Sequence, residues 1–504
     1  MSYDLLVVGG GIHGAGIARD AAGRGLSVLL VEKDSLASHT SSASSKLVHG
    51  GLRYLEYFKL RLVRESLSER ESLLAIAPHL VHRRRFVLPY RGRLRPAWAV
   101  RLGLILYDML GRQKTLEGSQ RVHFAKSPFG LPLNRSQRSG FAYSDCTVDD
   151  SRLVILNAKD AAERGAAVRV GHQFVRAARE GAIWRAEVLD LAARATYAVN
   201  VRAIVNAAGP WVGEVLAGGI GRRSRHAVRL VKGSHIVVPR LYPGEQAYAL
   251  QHSDRRLVFA IPWEGDFTLI GTTDVPWPGA PGAAGIDAGE VAYLCGVVNR
   301  YFQRQVGPAD VIWSFAGIRA LQDDGATRAS AVTRDYALEL DASGSGAPVV
   351  SVIGGKITTY RRLAEQVLDV LAPFLPPMRG AWTSATPLPG GDILGGDVDV
   401  LAAALGRLWP FLGEADARRI ARAYGTRASR WLEGARTRDD LGEDFGGGMT
   451  RREVDYLVRE EWARSADDVY WRHSKTGLRA TPGDRQRLQE HLGRARRRSA
   501  AVSR

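Results

Sequence analysis

Asp4-Leu5-Leu6-Val7-Val8-Gly9-Gly10-Gly11-Ile12-His13-Gly14-Ala15-Gly16 runs from an apolar stretch into a GxGxxG turn at Gly9, Gly11 and Gly14. Beyond the turn, Ile12 to Gly25 reads as a helix of small residues, and Ser27 to Val31 as a second strand ending in Glu32. Strand, glycine turn, helix, strand and acid in that order make a βαβ unit. Its glycines permit a tight turn and close approach of backbone to a pyrophosphate, which the unpaired N–H groups and dipole at the helix start favour. Glu32 stands where a carboxylate takes the ribose hydroxyls of an adenosine half. The pattern predicts a Rossmann-like α/β fold that binds a dinucleotide.

Composition narrows the rest. A chain of 504 residues exceeds what one hydrophobic core usually supports, so two or three domains are expected. With 45% hydrophobic and 24% charged residues it reads as a globular protein. The first apolar run is the Rossmann strand itself, so no cleaved leader is expected. The most membrane-like stretch, Ala97 to Leu110, is too short to span and is interrupted by Arg101 and Asp108. Cys146 and Cys295 have no metal-ligand or CxxC spacing, which predicts two reduced core thiols, no metal and a cytoplasmic setting. Lysine and arginine number 70 against 52 acids, a formal +18. That surplus suits an anionic lipid surface or a small anionic substrate, or serves solubility alone. The basic tail Arg494 to Arg498 lacks the interleaved aromatics of a single-strand binder, so no nucleic acid is expected.

Further along, Leu60 to Ala77 reads as a helix ending at Pro78, Leu153 to Arg164 as an amphipathic helix closed by Gly165, and Ala166 to Val170 as a strand. Arg202 to Pro210 is a buried strand breaking at a small-residue turn. Residues 225 to 275 alternate like antiparallel sheet, with a hairpin turn at Glu264-Gly265-Asp266. Val349 to Ile353 is a strand meeting Gly354-Gly355-Lys356, and Thr358 to Pro373 is a helix with Thr358 or Thr359 as N-cap. Pro387 to Gly396 links it to a last region of helices with basic faces. A nucleotide domain whose pieces return after a β-rich insertion is the layout of two-domain flavoenzymes. The expected division is an oxidoreductase region over 1–386 and a helical domain over 387–504. Within the first, a discontinuous FAD-binding domain takes about 1–75, 145–215 and 325–386, and an antiparallel-sheet substrate domain about 76–144 and 216–324.

Three stretches carry chemistry. In Thr40 to Tyr54, the hydroxyls and backbone N–H groups of Thr40, Ser41, Ser44, Ser45 and Leu47 suit phosphate or flavin oxygens, and Gly50 and Gly51 let backbone lie flat on an aromatic ring. Gly354, Gly355, Lys356, Thr358 and Thr359 form a second helix-start site suited to a ribityl chain or pyrimidine oxygen. Ala208 and Gly209, in the turn Asn206 to Pro210, resemble the second dinucleotide-contacting turn of flavoproteins.

Taken together, GGGIHGAG at 9–16, TSSASSKLVHGGLRYLE at 40–56, KGSHIVVP at 232–239, GTTD at 271–274, GGKITTYR at 354–361 and LGEDFG at 441–446 resemble the FAD-dependent glycerol-3-phosphate dehydrogenases, specifically the bacterial aerobic respiratory type. The resemblance implies FAD as cofactor and oxidation of sn-glycerol 3-phosphate to dihydroxyacetone phosphate by hydride transfer to the flavin. It further implies ubiquinone or menaquinone as acceptor and a peripheral place on the anionic inner face of the cell membrane, and it leaves a homodimer open. A glycerol-3-phosphate oxidase and an amine or amino-acid oxidase of the same fold are the alternatives. Arg53 and Arg319 match the family's substrate-binding arginines; with Tyr54, Arg334 and Lys356 they are expected to hold the phosphate dianion, which planar guanidinium groups grip best. Alcohol oxidation also needs a base, for which His235 and His49 are the candidates, unless Arg319 stabilises an alkoxide instead. Asp274 is expected to orient one of these groups or to cap a turn. Leu94 to Leu110, with Trp98 and flanking arginines, suits either a lipid interface or a core helix under the sheet. Two departures from the family stand out: Ala320 replaces a proline after Arg319, which predicts a looser loop, and Arg472-His473-Ser474 alters a run in the last domain.

Overall fold

The computed structural model describes residues 1–90, 96–111, 115–252, 254, 256–323, 335–342 and 346–502, without the side chains of Arg53 and of 496–502. One sheet has Ser2–Val8 at its centre, flanked by Val28–Glu32 and Ala195–Asn206, then by Ala167–Val170 on one side and Val349–Gly354 on the other. These five strands pair in parallel, and Tyr336–Asp341 adds an antiparallel edge. Both faces are buried, which is why the strands are near-continuous apolar runs. Leu5, Val7, Val28 and Leu30 face one core with the helices Ile12–Gly23, Asp150–Glu163 and Tyr360–Leu371; Leu6, Val8, Leu29 and Val31 face the other. The small residues of Ile12–Gly23 bring neighbours close: a Cβ on Gly16 would stand 2.6 Å from the Tyr360 ring.

A ten-stranded, largely antiparallel sheet is built from Leu47–Val48, Val81–Pro89, Gln120–His123, Ser139–Val148 and strands between Val228 and Gln322. Its spine pairs Val228–Pro239 with Trp313–Gln322 and with Phe267–Gly271. The expected hairpin lies between Leu257–Trp263 and Phe267–Gly271, with Glu264 and Gly265 at φ 49 and 78. Arg319 pairs with Val231 in mid-strand, so the loop expected to aim it is a sheet ladder, and Ala320 keeps an N–H there that proline lacks.

One helix start differs from expectation, and a second meets it in position only. Asp150–Glu163 begins three residues before Leu153 because the Asp149 carboxylate accepts the Arg152 N–H at 3.1 Å. Tyr360–Leu371 begins after a 3₁₀ turn at Ile357–Thr359, and Thr359 at the N-cap position makes no side-chain cap bond.

The last region folds Val398–Leu408, Gly413–Tyr424, Arg451–Glu461 and Pro482–Val502 around a core of its own. Arg152 reaches into it, forming a fully buried ion pair with Glu461 and donating from Nε to the Ala423 carbonyl at 3.0 Å. His473 and Arg472 are part of this junction: Ser151 Oγ donates to the Arg472 carbonyl at 2.7 Å, and the buried His473 ring lies 2.8 Å from the Glu461 carbonyl. Cys146 and Cys295 are buried and free. Among the described residues no helix is long and apolar enough to cross a membrane, and no cluster has the make-up of a metal site.

Candidate functional site

A cavity of about 990 Å³ runs between the two sheets. At one end stands the glycine turn. Gly9, at φ 108, lies so close to the neighbouring strand end that a Cβ would meet the Ala207 carbonyl oxygen at 2.6 Å. Gly11 lines the cavity; Gly14 does not, and its role is packing, since a Cβ there would come 1.9 Å from the Gly9 carbonyl oxygen. Glu32 lines the same end and accepts the N–H groups of Gly10 at 2.7 Å and Asp34 at 2.8 Å. Burial raises its carboxyl pKa above the usual range against those two bonds. A carboxylate has capacity beyond two donors, so ribose hydroxyls remain within its means.

The serine-rich stretch does not wrap one ligand with all its hydroxyls. Ser41 Oγ accepts the Ile12 N–H of the first helical turn at 3.0 Å, and Thr40 donates to the Ile318 carbonyl at 2.6 Å, tying this stretch to the second sheet. Ser44 donates to Asp150 at 2.6 Å, and the buried Lys46 amine pairs with the same carboxylate at 2.8 Å. Ser45 lies 2.9 Å from Nε2 of His235. All four hydroxyl residues line the cavity, as does Leu47.

His235 is behind the wall rather than in it. It is fully buried, stacked on Phe315 at 4.8 Å, and close enough to Gly271 that a Cβ there would fall 2.0 Å from the ring. Burial first, then the Arg319 and Lys46 cations, push its pKa well below the usual value. His49 does line the cavity. Gly50 sits beneath: its N–H donates to the buried Tyr107 hydroxyl at 2.8 Å, which donates on to Asp145 at 2.7 Å, and Arg70 pairs with that carboxylate at 2.9 Å. Gly51, at φ 77, lines the cavity and leaves room for the Tyr54 ring, which a Cβ would meet at 2.3 Å.

At the other end the Lys356 amine lies 4.2 Å over the Tyr54 ring and 3.3 Å from Ser66 Oγ. Arg319 donates to Asp274 at 3.0 Å and to Thr272 Oγ1 at 3.0 Å, so Asp274 does orient a candidate side chain. The Arg53 side chain and Arg334 lie outside the described residues. Gly355, at φ 98, and Thr358 line the cavity, whereas Thr359 is buried away from it. Ala208, beside Gly9, and Gly209 line it as well.

Two residues escaped the sequence reading. His13, inside the fingerprint, lines the cavity; burial brings its pKa down to about 4, and Nε2 has no hydrogen-bond partner among the described residues. Its position in the first helical turn was the available signal, since the helix dipole disfavours a cation there. Trp211 follows the noted Gly209-Pro210 and packs edge-on against His39, with ring centres 4.6 Å apart. The glycine cradle, the N–H groups at a helix start, the deep carboxylate and the orphaned His13 nitrogen together fit a dinucleotide.

Residues 4–361 match the family described as DAO, FAD dependent oxidoreductase. The chain is 51% identical over 490 residues to a glycerol-3-phosphate dehydrogenase of Pseudomonas aeruginosa, covering 97% of this chain and 95% of that one. It is 48% identical over 492 residues to a D-erythritol 1-phosphate dehydrogenase of Brucella abortus, covering 98% of each. The fold matches the crystal structure of a glycerol-3-phosphate dehydrogenase from Bacillus halodurans complexed with FAD, at a TM-score of 0.72 and 25% identity, covering 98% of this chain and 94% of that one.

Proposed function

The chain belongs to the FAD-dependent glycerol-3-phosphate dehydrogenase family, and from that premise we propose that it oxidises sn-glycerol 3-phosphate to dihydroxyacetone phosphate and passes the electrons to a membrane quinone. One observation carries the reading: a single cavity is lined both by the glycine turn and Glu32 and by Lys356, Tyr54 and Arg319. FAD, when bound, supplies the hydride acceptor. Gly9, Gly11, Glu32, Ser41, Ala208, Gly209, Gly355 and Thr358 hold it.

Lys356, whose amine lies over the Tyr54 ring, takes the phosphate dianion, with Arg53 as the second cation that the family resemblance implies. Arg319 has a different task. Its charge is already matched by Asp274, so it suits the carbinol oxygen, where negative charge develops, better than a dianion. Holding the alcohol between these groups would fix the carbinol for hydride transfer once FAD is bound. The first sheet and its helices are the cofactor half, and the second sheet, which takes in Leu47–Val48 and Ser139–Val148, covers the substrate.

The helix Ala97–Gly111 supports the acceptor reading. Leu104 and Tyr107 are buried on its inner face, while its outer face leaves Trp98 70% exposed and Met109 70% exposed, with Phe58 at 85% exposed in the turn that follows Leu52–Tyr57. An apolar outer face of this kind suits lying in a lipid interface. Ala99 and Val100 of the same helix, with Leu55, Phe86 and Leu88, give the cavity an apolar wall that a lipid-soluble quinone can approach. Flotation with anionic liposomes tests this part separately.

A second substrate has a specific observation behind it, the similarity to the D-erythritol 1-phosphate enzyme. Reduction of a dye acceptor by the purified yellow protein, run with both polyol phosphates, decides between them. Higher kcat/KM with glycerol 3-phosphate is the expected result; a preference for the four-carbon substrate reassigns the natural alcohol, and activity with neither defeats the reading.

A further inference from the structure

The expected base, His235, cannot touch a substrate in the cavity, because the wall stands between them. The wall residue at that point is Ser45. Ser45 lines the cavity, and its hydroxyl lies 2.9 Å from His235 Nε2. We propose that Ser45 is a catalytic residue: its Oγ accepts the proton of the substrate carbinol while its own proton passes to Nε2 of His235. This rests on the functional reading above. One O–H bond breaks at the substrate and one N–H bond forms on the imidazole. The serine is a hydroxyl before and after, and the two electrons of the carbinol C–H bond leave as hydride to the flavin that the established chemistry of the family supplies.

The surroundings of His235 fit a proton acceptor that is neutral at rest. Phe315 stacks on the ring from the strand Trp313–Gln322, and Gly271 leaves the space beside it that the ring fills. Arg319 from the same strand and Lys46 beside Ser45 are the charged groups that act on it, both cations, and they keep the ring unprotonated. Nδ1 has no hydrogen-bond partner among the described residues; in the relay it carries the single proton of the neutral ring, which leaves Nε2 to accept from Ser45. A phosphate dianion entering the cavity brings the opposite charge, so the ring becomes a better base only when there is a proton to take. The sequence supplies this arrangement through the alternation of a strand: Ser234 turns to Glu290 on the other face at 2.9 Å, which leaves His235 facing Ser45.

The test compares Ser45→Ala and Ser45→Thr in the holoenzyme, following flavin bleaching by glycerol 3-phosphate in a stopped-flow instrument, with flavin content and substrate Kd measured alongside. Removing the hydroxyl is expected to slow bleaching by roughly 10²-fold or more, the range for a lost acid–base group, with flavin content and Kd held. Threonine, which keeps the hydroxyl, restores the rate to within about tenfold. His235→Asn serves as the second variant: combined with Ser45→Ala it adds no further loss, because the two groups act as one path. It also removes the low-pH limb that protonation of His235 puts on the pH profile of the bleaching rate. Bleaching at the wild-type rate in Ser45→Ala, or fully additive losses in the double variant, overturns the relay. If Ser45→Ala loses its flavin, the threonine variant and His235→Asn carry the test, and a wild-type pH profile in His235→Asn overturns it. Failure of the wild-type protein to bleach is a different result, against the substrate reading itself.

Discussion

Replacing Tyr107 with phenylalanine removes one oxygen atom and should be felt at the cavity. The hydroxyl stands between the Gly50 N–H, which it accepts at 2.8 Å, and Asp145, to which it donates at 2.7 Å, and the Tyr107 side chain is wholly buried. No water reaches these groups to replace the lost partner. An orphaned buried amide costs about 1–3 kcal/mol, and a lost bond to a charged acceptor a similar amount. Arg70 remains on the other oxygen of Asp145 at 2.9 Å and limits the second loss, so the total expected is about 2–4 kcal/mol. The consequence extends beyond stability, because His49 and Gly51 line the cavity on either side of Gly50. Urea unfolding of Tyr107→Phe should show that loss, and the purified variant should retain less flavin per chain. Tyr57→Phe, a change at an exposed ring, should fall within about 0.5 kcal/mol of wild type. A Tyr107→Phe protein as stable as Tyr57→Phe, with full flavin content, would refute the reasoning.

Three more outcomes are expected. Gly14→Ala places a Cβ 1.9 Å from the Gly9 carbonyl oxygen, and the protein should be purified with little or no flavin, read from its visible absorption. Glu461→Gln leaves the Arg152 guanidinium buried without its counter-charge and should cost about 3–5 kcal/mol in chemical denaturation, while Arg152→Met with Glu461→Leu should cost less. His79 is held down to about 3 by burial first, then by the charges of Arg152 and His82. Its folded value is depressed below that of the unfolded chain, so its contribution is complete above about pH 6.5 and is lost as pH falls toward 3. Between pH 7 and pH 5 it should account for about 2 kcal/mol of lost stability, a component that His79→Asn removes.

Much of the first sheet was legible because its signals are local. The turn at Gly9 to Gly14 and the strand closing on Glu32 each depend on residues within a few positions of one another, as does the one second-sheet hairpin read correctly, at Glu264-Gly265. The second sheet was legible as a β-rich insertion but not in its pairing. Arg319 looked like a loop residue after a glycine, yet ten successive pairs with Val228–Val237 make its segment a strand. Thr359 does stand at the helix N-cap, but it is the last residue of the 3₁₀ turn Ile357–Thr359 and makes no side-chain cap bond, which sequence alone does not show. The serine-rich stretch was marked as functional by composition and resemblance, but composition does not say where each hydroxyl points. Ser44 is drawn to Asp150 and Ser45 to His235, partners 106 and 190 residues away, and only the packed sheets bring them there. His235 was picked as a ring that titrates near neutral pH; burial and two nearby cations, all tertiary in origin, are what take it out of that range.

The most direct test is an anaerobic titration of the purified yellow protein with glycerol 3-phosphate, read at the flavin absorption band. Loss of the band on substrate addition, with Lys356→Ala requiring far more substrate to reach the same bleaching, is the predicted result. A protein whose flavin stays oxidised with either polyol phosphate but bleaches with an amine or amino acid would contradict a cavity built to hold a phosphorylated alcohol against the flavin.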